Sequence, residues 1–306
     1  MYTSRSMQIG SPNFAIGITS CYISGQIIKT VQSIRQSIGV GKFPIILVSD
    51  RMPISEKVKK RLEKYEVKII ENKYVSSVYV KQRQILQYTN AKIIIFTHDD
   101  VLFRRNTLAK VLSVLKTDPE ISFVGVRNTP LPADNLFDAG VNVGTYLNNT
   151  IAQNWDQGDN YLAVLGRLTA FRTDWFKNKM KVHKNAVSLD AYLYFENSRL
   201  GGKYKCIWDS EILFRNPQNL NEHLKKSSRF QSSKNEMESY HKFDNLNKKY
   251  IIPYSVILKA IINQFLQNPL NFMSYLLIYT YTRVFKISAK KSLTPNWDVD
   301  LSTKSL

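Results

Sequence analysis

Two rhythms of apolar and polar positions alternate from residue 14 to about residue 126. Short unbroken apolar runs, of the kind buried on both faces of a parallel sheet, recur between stretches with helical spacing. Residues 14–20 read as a strand, and Ile27, Val31, Ile34 and Ile38 then mark one face of a helix stopped by Gly39 and Gly41. A second strand covers 43–49, after which Asp50, Arg51 and Pro53 open a helix carrying Ile54, Val58, Leu62 and Tyr65. A third strand (67–70) and a third helix (76–88) lead to a fourth strand, Ile93-Ile94-Ile95-Phe96. Asn106 then caps a helix bearing Leu108, Val111, Leu112 and Leu115, and 122–126 is again a strand. This succession predicts an α/β fold, a mainly parallel sheet flanked by helices.

The rhythm breaks at Asn128. Residues 128–159 are rich in Asn, Asp, Gly and Pro and read as long loops, which in a compact domain are usually functional. Pattern returns with a strand at 168–171, a helix at 188–200 ended by Gly201-Gly202, and strands at 204–208 and 212–214. Residues 219–249 are polar and basic and read as a connector or a mobile arm. Residues 250–287 are apolar and aromatic and carry no charge between Lys259 and Arg283. Asn263, Gln264, Gln267, Asn268, Pro269 and Asn271 interrupt that stretch, so two amphipathic helices broken at Pro269 and lying on a membrane fit better than a spanning helix. A helix pair packed on the rest of the protein is the alternative. The chain thus divides into residues 1–218 and a C-terminal helical extension, 219–306.

Charge narrows the partners. Lys and Arg number 43 against 24 Asp and Glu, a formal net charge of +19, which implies a polyanionic partner: nucleic acid, an anionic membrane surface or a phosphorylated substrate. Cys21 and Cys206 stand far apart without metal-ligand spacing, which points to a reducing compartment. The polar N-terminal residues, broken by Gly10 and Pro12, lack the apolar core of a signal peptide, so a protein that is not secreted is expected.

The chemistry concentrates where the fourth strand stops, at Thr97-His98-Asp99-Asp100. Two acids at the carboxyl end of a buried strand project into the crevice where open α/β sheets bind ligands. Hard oxygen ligands there suit Mg²⁺ or Mn²⁺, and with it a phosphate-bearing substrate. Ordinary turn residues are the competing reading of the pair. Asp50, at the end of the second strand, is placed to accept a hydrogen bond from a ligand N–H, or else caps the helix before Pro53. Thr19 and Ser20 end the first strand within reach of the same ligand. Trp155, Trp175 and Trp208 are candidates for sugar stacking, or packing residues.

In their order along the chain, residues 14–20 with the following helix, Val48-Ser49-Asp50, and the acids after the fourth strand resemble the nucleotide-sugar half of family 2 glycosyltransferases. Gly166-Arg167-Leu168-Thr169-Ala170-Phe171 and Ser188-Leu189-Asp190 resemble the acceptor half. The resemblance covers roughly residues 14–215 and implies a GT-A fold. It also implies divalent-metal-dependent transfer of a sugar from a nucleotide diphosphate, with inversion, to a glycan or lipid-linked acceptor. His98 and Asp100 then match a His-x-Asp form of the metal motif, with Asp99 beside the nucleotide. Thr97 and His98 stand where the family's first aspartate would be. The resemblance further implies that Lys81 or Arg83 contacts the diphosphate or base; both could equally be solvated. It makes Asp190 the general base, against the plainer reading of an acid favoured in a helix's first turn. Where relatives often carry a histidine after the last strands, this chain offers Arg215, His223 or His241.

The expected setting is the cytoplasmic face of the cell membrane, with the protein held peripherally by anionic lipid and no nucleic-acid partner. Two other functions compete: a sugar-phosphate nucleotidyltransferase, and a non-catalytic nucleic-acid-binding protein. The first lacks a Gly-rich basic loop after strand one, where Cys21-Tyr22-Ile23-Ser24-Gly25 stands; the second lacks a recognised binding motif to accompany its charge.

Overall fold

The computed structural model describes residues 13–240, 242–243, 245–285, 294 and 301–306. Its strands are β1 (Phe14–Thr19), β2 (Ile45–Ser49), β3 (Val67–Glu71), β4 (Ile93–His98), β5 (Val101–Phe103), β6 (Ile121–Pro130), β7 (Leu168–Arg172) and β8 (Lys203–Phe214). The helices are α1 (Ile27–Arg35), α2 (Glu56–Glu63), α3 (Val78–Ile85), α4 (Thr107–Thr117), α5 (Leu136–Asn154), α6 (Leu189–Arg199), α7 (Leu220–Ser239), α8 (Leu246–Lys249), α9 (Tyr254–Gln267) and α10 (Pro269–Val284).

All eight strands form one sheet in the order β3-β2-β1-β4-β7-β6-β8-β5. The first four pair in parallel, β6 pairs in parallel with β8, and β7 and β5 run antiparallel to their neighbours. The predicted mixed, mainly parallel α/β architecture is observed. The apolar run of β4 is buried on both faces as expected. Ile93 and Ile95 join a core with α1, α2 and α4. Ile94 and Phe96 join the opposite core with α3 and α6. Because the chain winds from β1 outward to β3 and then crosses back to β4, the topological switch lies between β1 and β4. Thr19 pairs there with His98.

Two stretches differ from their sequence reading. Most of 128–159 is not loop, since α5 spans nineteen residues of it. Its polar residues serve the fold: Asn142 and Asn149 are buried and donate to the Leu131 and Asn128 carbonyls, at 3.0 and 2.8 Å. Gly140 lets α10 approach, because a Cβ there would lie 3.0 Å from the Tyr275 backbone nitrogen. The basic stretch from 219 is likewise largely helix. Asn219 caps α7 by accepting from the Glu222 amide at 2.9 Å. The strands expected at 204–208 and 212–214 are one strand, β8, with a register shift opposite Val126 and Arg127.

The break at Pro269 is observed as the boundary of α9 and α10. Ala260 and Phe272 pack against Val143 and Leu147 of α5. The other faces expose Tyr254, Leu258, Leu266, Leu270, Leu277 and Val284. No helix of the described residues is long and apolar enough to cross a membrane.

Candidate active site

Ser20 and the Asp99-Asp100 pair meet at the switch point, where β1 and β4 both end. The Ser20 hydroxyl donates to Asp99 Oδ2 at 2.9 Å, and the Ser20 carbonyl accepts from Lys81 Nζ at 2.6 Å. Lys81 also pairs with Asp50 Oδ1 at 2.8 Å, both side chains being almost fully buried. Asp50 Oδ2 accepts from the Ser76 amide at 2.7 Å. Asp50, Lys81, Ser20 and Asp99 thus form one continuous polar chain along the carboxyl edge of the sheet. Lys81→Met would strand the Asp50 carboxylate in a buried site. It is expected to cost about 3–5 kcal/mol of stability in urea denaturation, the usual loss when one partner of a buried pair is removed. Thr19 is buried in β1. Arg83 turns away from this chain and donates to the Lys177 carbonyl at 2.7 Å.

A second chain of contacts starts from the same acids. Lys304 Nζ lies 2.6 Å from Asp99 Oδ1 and 3.2 Å from Asp100 Oδ2, so one ammonium bridges both carboxylates. Burial alone would raise the Asp100 carboxyl. Lys304, His98 and Arg167 outweigh it and hold the group down at about 2. His98 is pushed the other way, toward the neutral imidazole, by burial.

Asp100 and His98 open onto a cavity of about 330 Å³ whose wall also includes Asp190, Gly166, Arg167, Lys226, Arg229 and Lys304. Asp190 sits in the first turn of α6. Burial raises its carboxyl to about 6, against the opposing influence of the Gly166 amide and Arg167. The close approach of Gly166 has a steric reason. A Cβ at this position would stand 2.3 Å from Asp190 Oδ1, so only glycine leaves the carboxylate where it is. Gly166→Ala is expected to displace Asp190 and to cost about 1–3 kcal/mol of stability, read by urea denaturation. Arg167 is fixed over the Phe214 ring, 3.6 Å from its centroid.

Several sequence candidates lie elsewhere. Arg215 pairs with Asp134 at 2.7 Å. His223 is held near 4 by burial and Lys226, with its ring edge-on to Phe137. His241 lies outside the described residues. Trp155, Trp175 and Trp208 do not line the cavity; Trp155 is buried against Tyr161, and Trp175 donates to Asn197 Oδ1 at 2.9 Å.

Comparison with known proteins decides the fold. No family model and no curated protein matches the sequence. Solved structures do match. A mannosyltransferase from Pyrobaculum calidifontis, in complex with GDP-Man and Mn²⁺, superposes with a TM-score of 0.57 at 12% identity, covering 92% of this chain and 77% of that one. TarS 1–349 of S. aureus matches at 0.52 and 11%, covering 92% and 76%. Glucosyl-3-phosphoglycerate synthase from Mycobacterium tuberculosis, in complex with Mg²⁺ and UDP, matches at 0.52 and 11%, covering 73% and 79%. The fold is GT-A.

In this GT-A fold the acids at the switch point can be tested as a cation site. Among the described residues no three His, Cys, Asp or Glu side chains converge to hold a metal by themselves. A Mg²⁺-type cation asks for less, one or two carboxylates completed by substrate phosphates and water. Asp99 and Asp100 already share one cationic group, the Lys304 ammonium, and so fit that requirement.

Proposed function

We propose that this protein is a glycosyltransferase that moves a sugar from a nucleotide-diphosphate donor to a glycan or lipid-linked acceptor, with inversion. The observation that carries the reading is that Asp100 and Asp190 face one cavity with opposite electrostatics. Cations hold Asp100 ionised, while burial holds Asp190 at about 6, poised to take a proton. In this reading Asp190 accepts the acceptor hydroxyl proton as that oxygen bonds to the anomeric carbon. The bond from that carbon to the diphosphate oxygen breaks on the opposite face, and the nucleoside diphosphate leaves with the electron pair.

Where the resemblance implies His98 and Asp100 as the metal frame, the ammonium shared by Asp99 and Asp100 favours these two carboxylates as the holders of Mg²⁺ or Mn²⁺, with His98 beside them. Such a cation, when bound, neutralises the charge growing on the departing diphosphate. The polar chain of Asp50, Lys81 and Ser20 is assigned to the nucleotide, with Thr19 behind it in β1. The structural relatives bound to GDP-Man with Mn²⁺ and to UDP with Mg²⁺ support the donor and cation classes.

In this account residues up to 218 supply the acids of the transferase, while 219–306 complete the cavity wall through Lys226, Arg229 and Lys304 and carry α9 and α10 toward the acceptor. The exposed apolar faces of α9 and α10, helices that carry Lys259 and Arg283 within them, support peripheral binding at an anionic membrane on its cytoplasmic side. Sedimentation with anionic vesicles, reversed by high salt, is the expected result; equal binding to neutral vesicles would argue against the electrostatic part. A thermal-shift screen of nucleoside diphosphates with and without Mn²⁺ tests the donor site. One base should stabilise the protein only with the cation present, and no stabilisation by any nucleotide would count against the reading.

A further inference from the structure

Residues 301–306 are fastened across the mouth of the site by contacts to three separate elements. Ser302 accepts from the Gln218 amide at 2.9 Å, and its hydroxyl donates to the Glu222 carboxylate of α7. Arg215 Nε, just beyond β8, donates to the Ser305 carbonyl at 2.7 Å. Lys29 of α1 donates to the Leu306 backbone oxygen. Between these anchors Thr303 Oγ1 donates to Asp100 Oδ2 at 3.2 Å, and Lys304 bridges Asp99 and Asp100. Thr303 and Lys304 also line the cavity that contains Asp190.

We propose that residues 301–306 are an internal plug of the cation site, with Lys304 and a divalent cation as mutually exclusive occupants of the Asp99 and Asp100 carboxylates. This rests on the reading of those two acids as the divalent-cation ligands. The ammonium takes Asp99 Oδ1 and Asp100 Oδ2, and Asp99 Oδ2 is already spent on Ser20. A cation that bridges the two carboxylates through Asp99 Oδ1 and Asp100 Oδ2 takes the position the ammonium holds, and like charge drives Lys304 out. The ammonium brings a single positive charge to the two carboxylates. A divalent ion arriving with a diphosphate replaces it with a larger charge and with phosphate ligands. The plug thus withholds the acids from free cation and yields them to cation together with donor, which limits unproductive metal binding.

Mn²⁺ titration by calorimetry on the full chain, without nucleotide, tests the plug. Lys304→Ala should bind Mn²⁺ at least tenfold tighter than the wild type. Ser302→Ala, which loosens the anchor at α7 without touching the acids, should shift affinity in the same direction by a smaller factor. Adding Asp100→Asn to Lys304→Ala should abolish the gain. Unchanged or weaker Mn²⁺ affinity in Lys304→Ala, with Asp100→Asn still removing binding, would overturn the plug and leave the cation site standing. Mn²⁺ binding that survives Asp100→Asn would overturn both, and no binding in any variant would overturn the plug.

Discussion

Asp190→Asn should lower glycosyl transfer by about 10²–10⁴-fold, the usual contribution of a positioned general base, while nucleotide binding stays at the wild-type level. The expectation follows from where the carboxylate sits. It lines the cavity beside Gly166, and burial has raised it to about 6. The wild-type rate should therefore rise with pH through about 6, as Asp190 becomes able to accept a proton, and that limb should vanish in the variant. The same shift has a stability consequence of definite sign. The folded protein holds this proton above the ordinary value of 3.8, so the contribution is full below 3.8 and is lost as pH climbs through about 6. Asp190→Asn should flatten that part of the stability profile in urea denaturation across pH. Full transfer by Asp190→Asn would remove the residue from the chemistry.

The second large effect is expected at the strand end. Asp100→Asn should abolish the cation-dependent part of nucleoside-diphosphate stabilisation. In the wild type, ligand at 100-fold its Kd contributes about 2.7 kcal/mol, a shift of a few degrees in Tm. The variant also removes a carboxylate that Lys304 and Thr303 engage, so the fold should be tested separately by its far-UV spectrum. A cation-dependent shift that persists in Asp100→Asn would place the metal elsewhere.

The parts of the site carried by short-range pattern were legible in the sequence. Four consecutive apolar residues followed by Thr97-His98-Asp99-Asp100 read as a buried strand ending at a crevice, and β4 is that strand. The helix start that carries Asp190 was legible just after Ser188, and the break at Pro269 because proline leaves few choices, whereas a catalytic role for Asp190 came only from the family resemblance. The illegible parts were set by partners distant in sequence. Helix α5 looked like loop because its Asn and Gly residues are used for buried carbonyls and for the approach of α10, which periodicity does not register. The contact of Lys304 with Asp99 spans 205 positions, and nothing around Lys304 distinguishes it from the other lysines of a basic chain. Arg167 was seen only within a motif. Its seat over Phe214 depends on the pairing of β7 into the middle of the sheet.

Release of nucleoside diphosphate from a panel of nucleotide sugars is the most direct test of the account. It should be measured with Mn²⁺ and a mixed lipid and glycan extract as acceptor, for the wild type and Asp190→Asn side by side. One donor should turn over in the wild type, with the rate falling about 10²–10⁴-fold in the variant. No turnover of any donor, together with tight retention of nucleic acid at physiological salt, would contradict the central claim and make the basic charge the primary function.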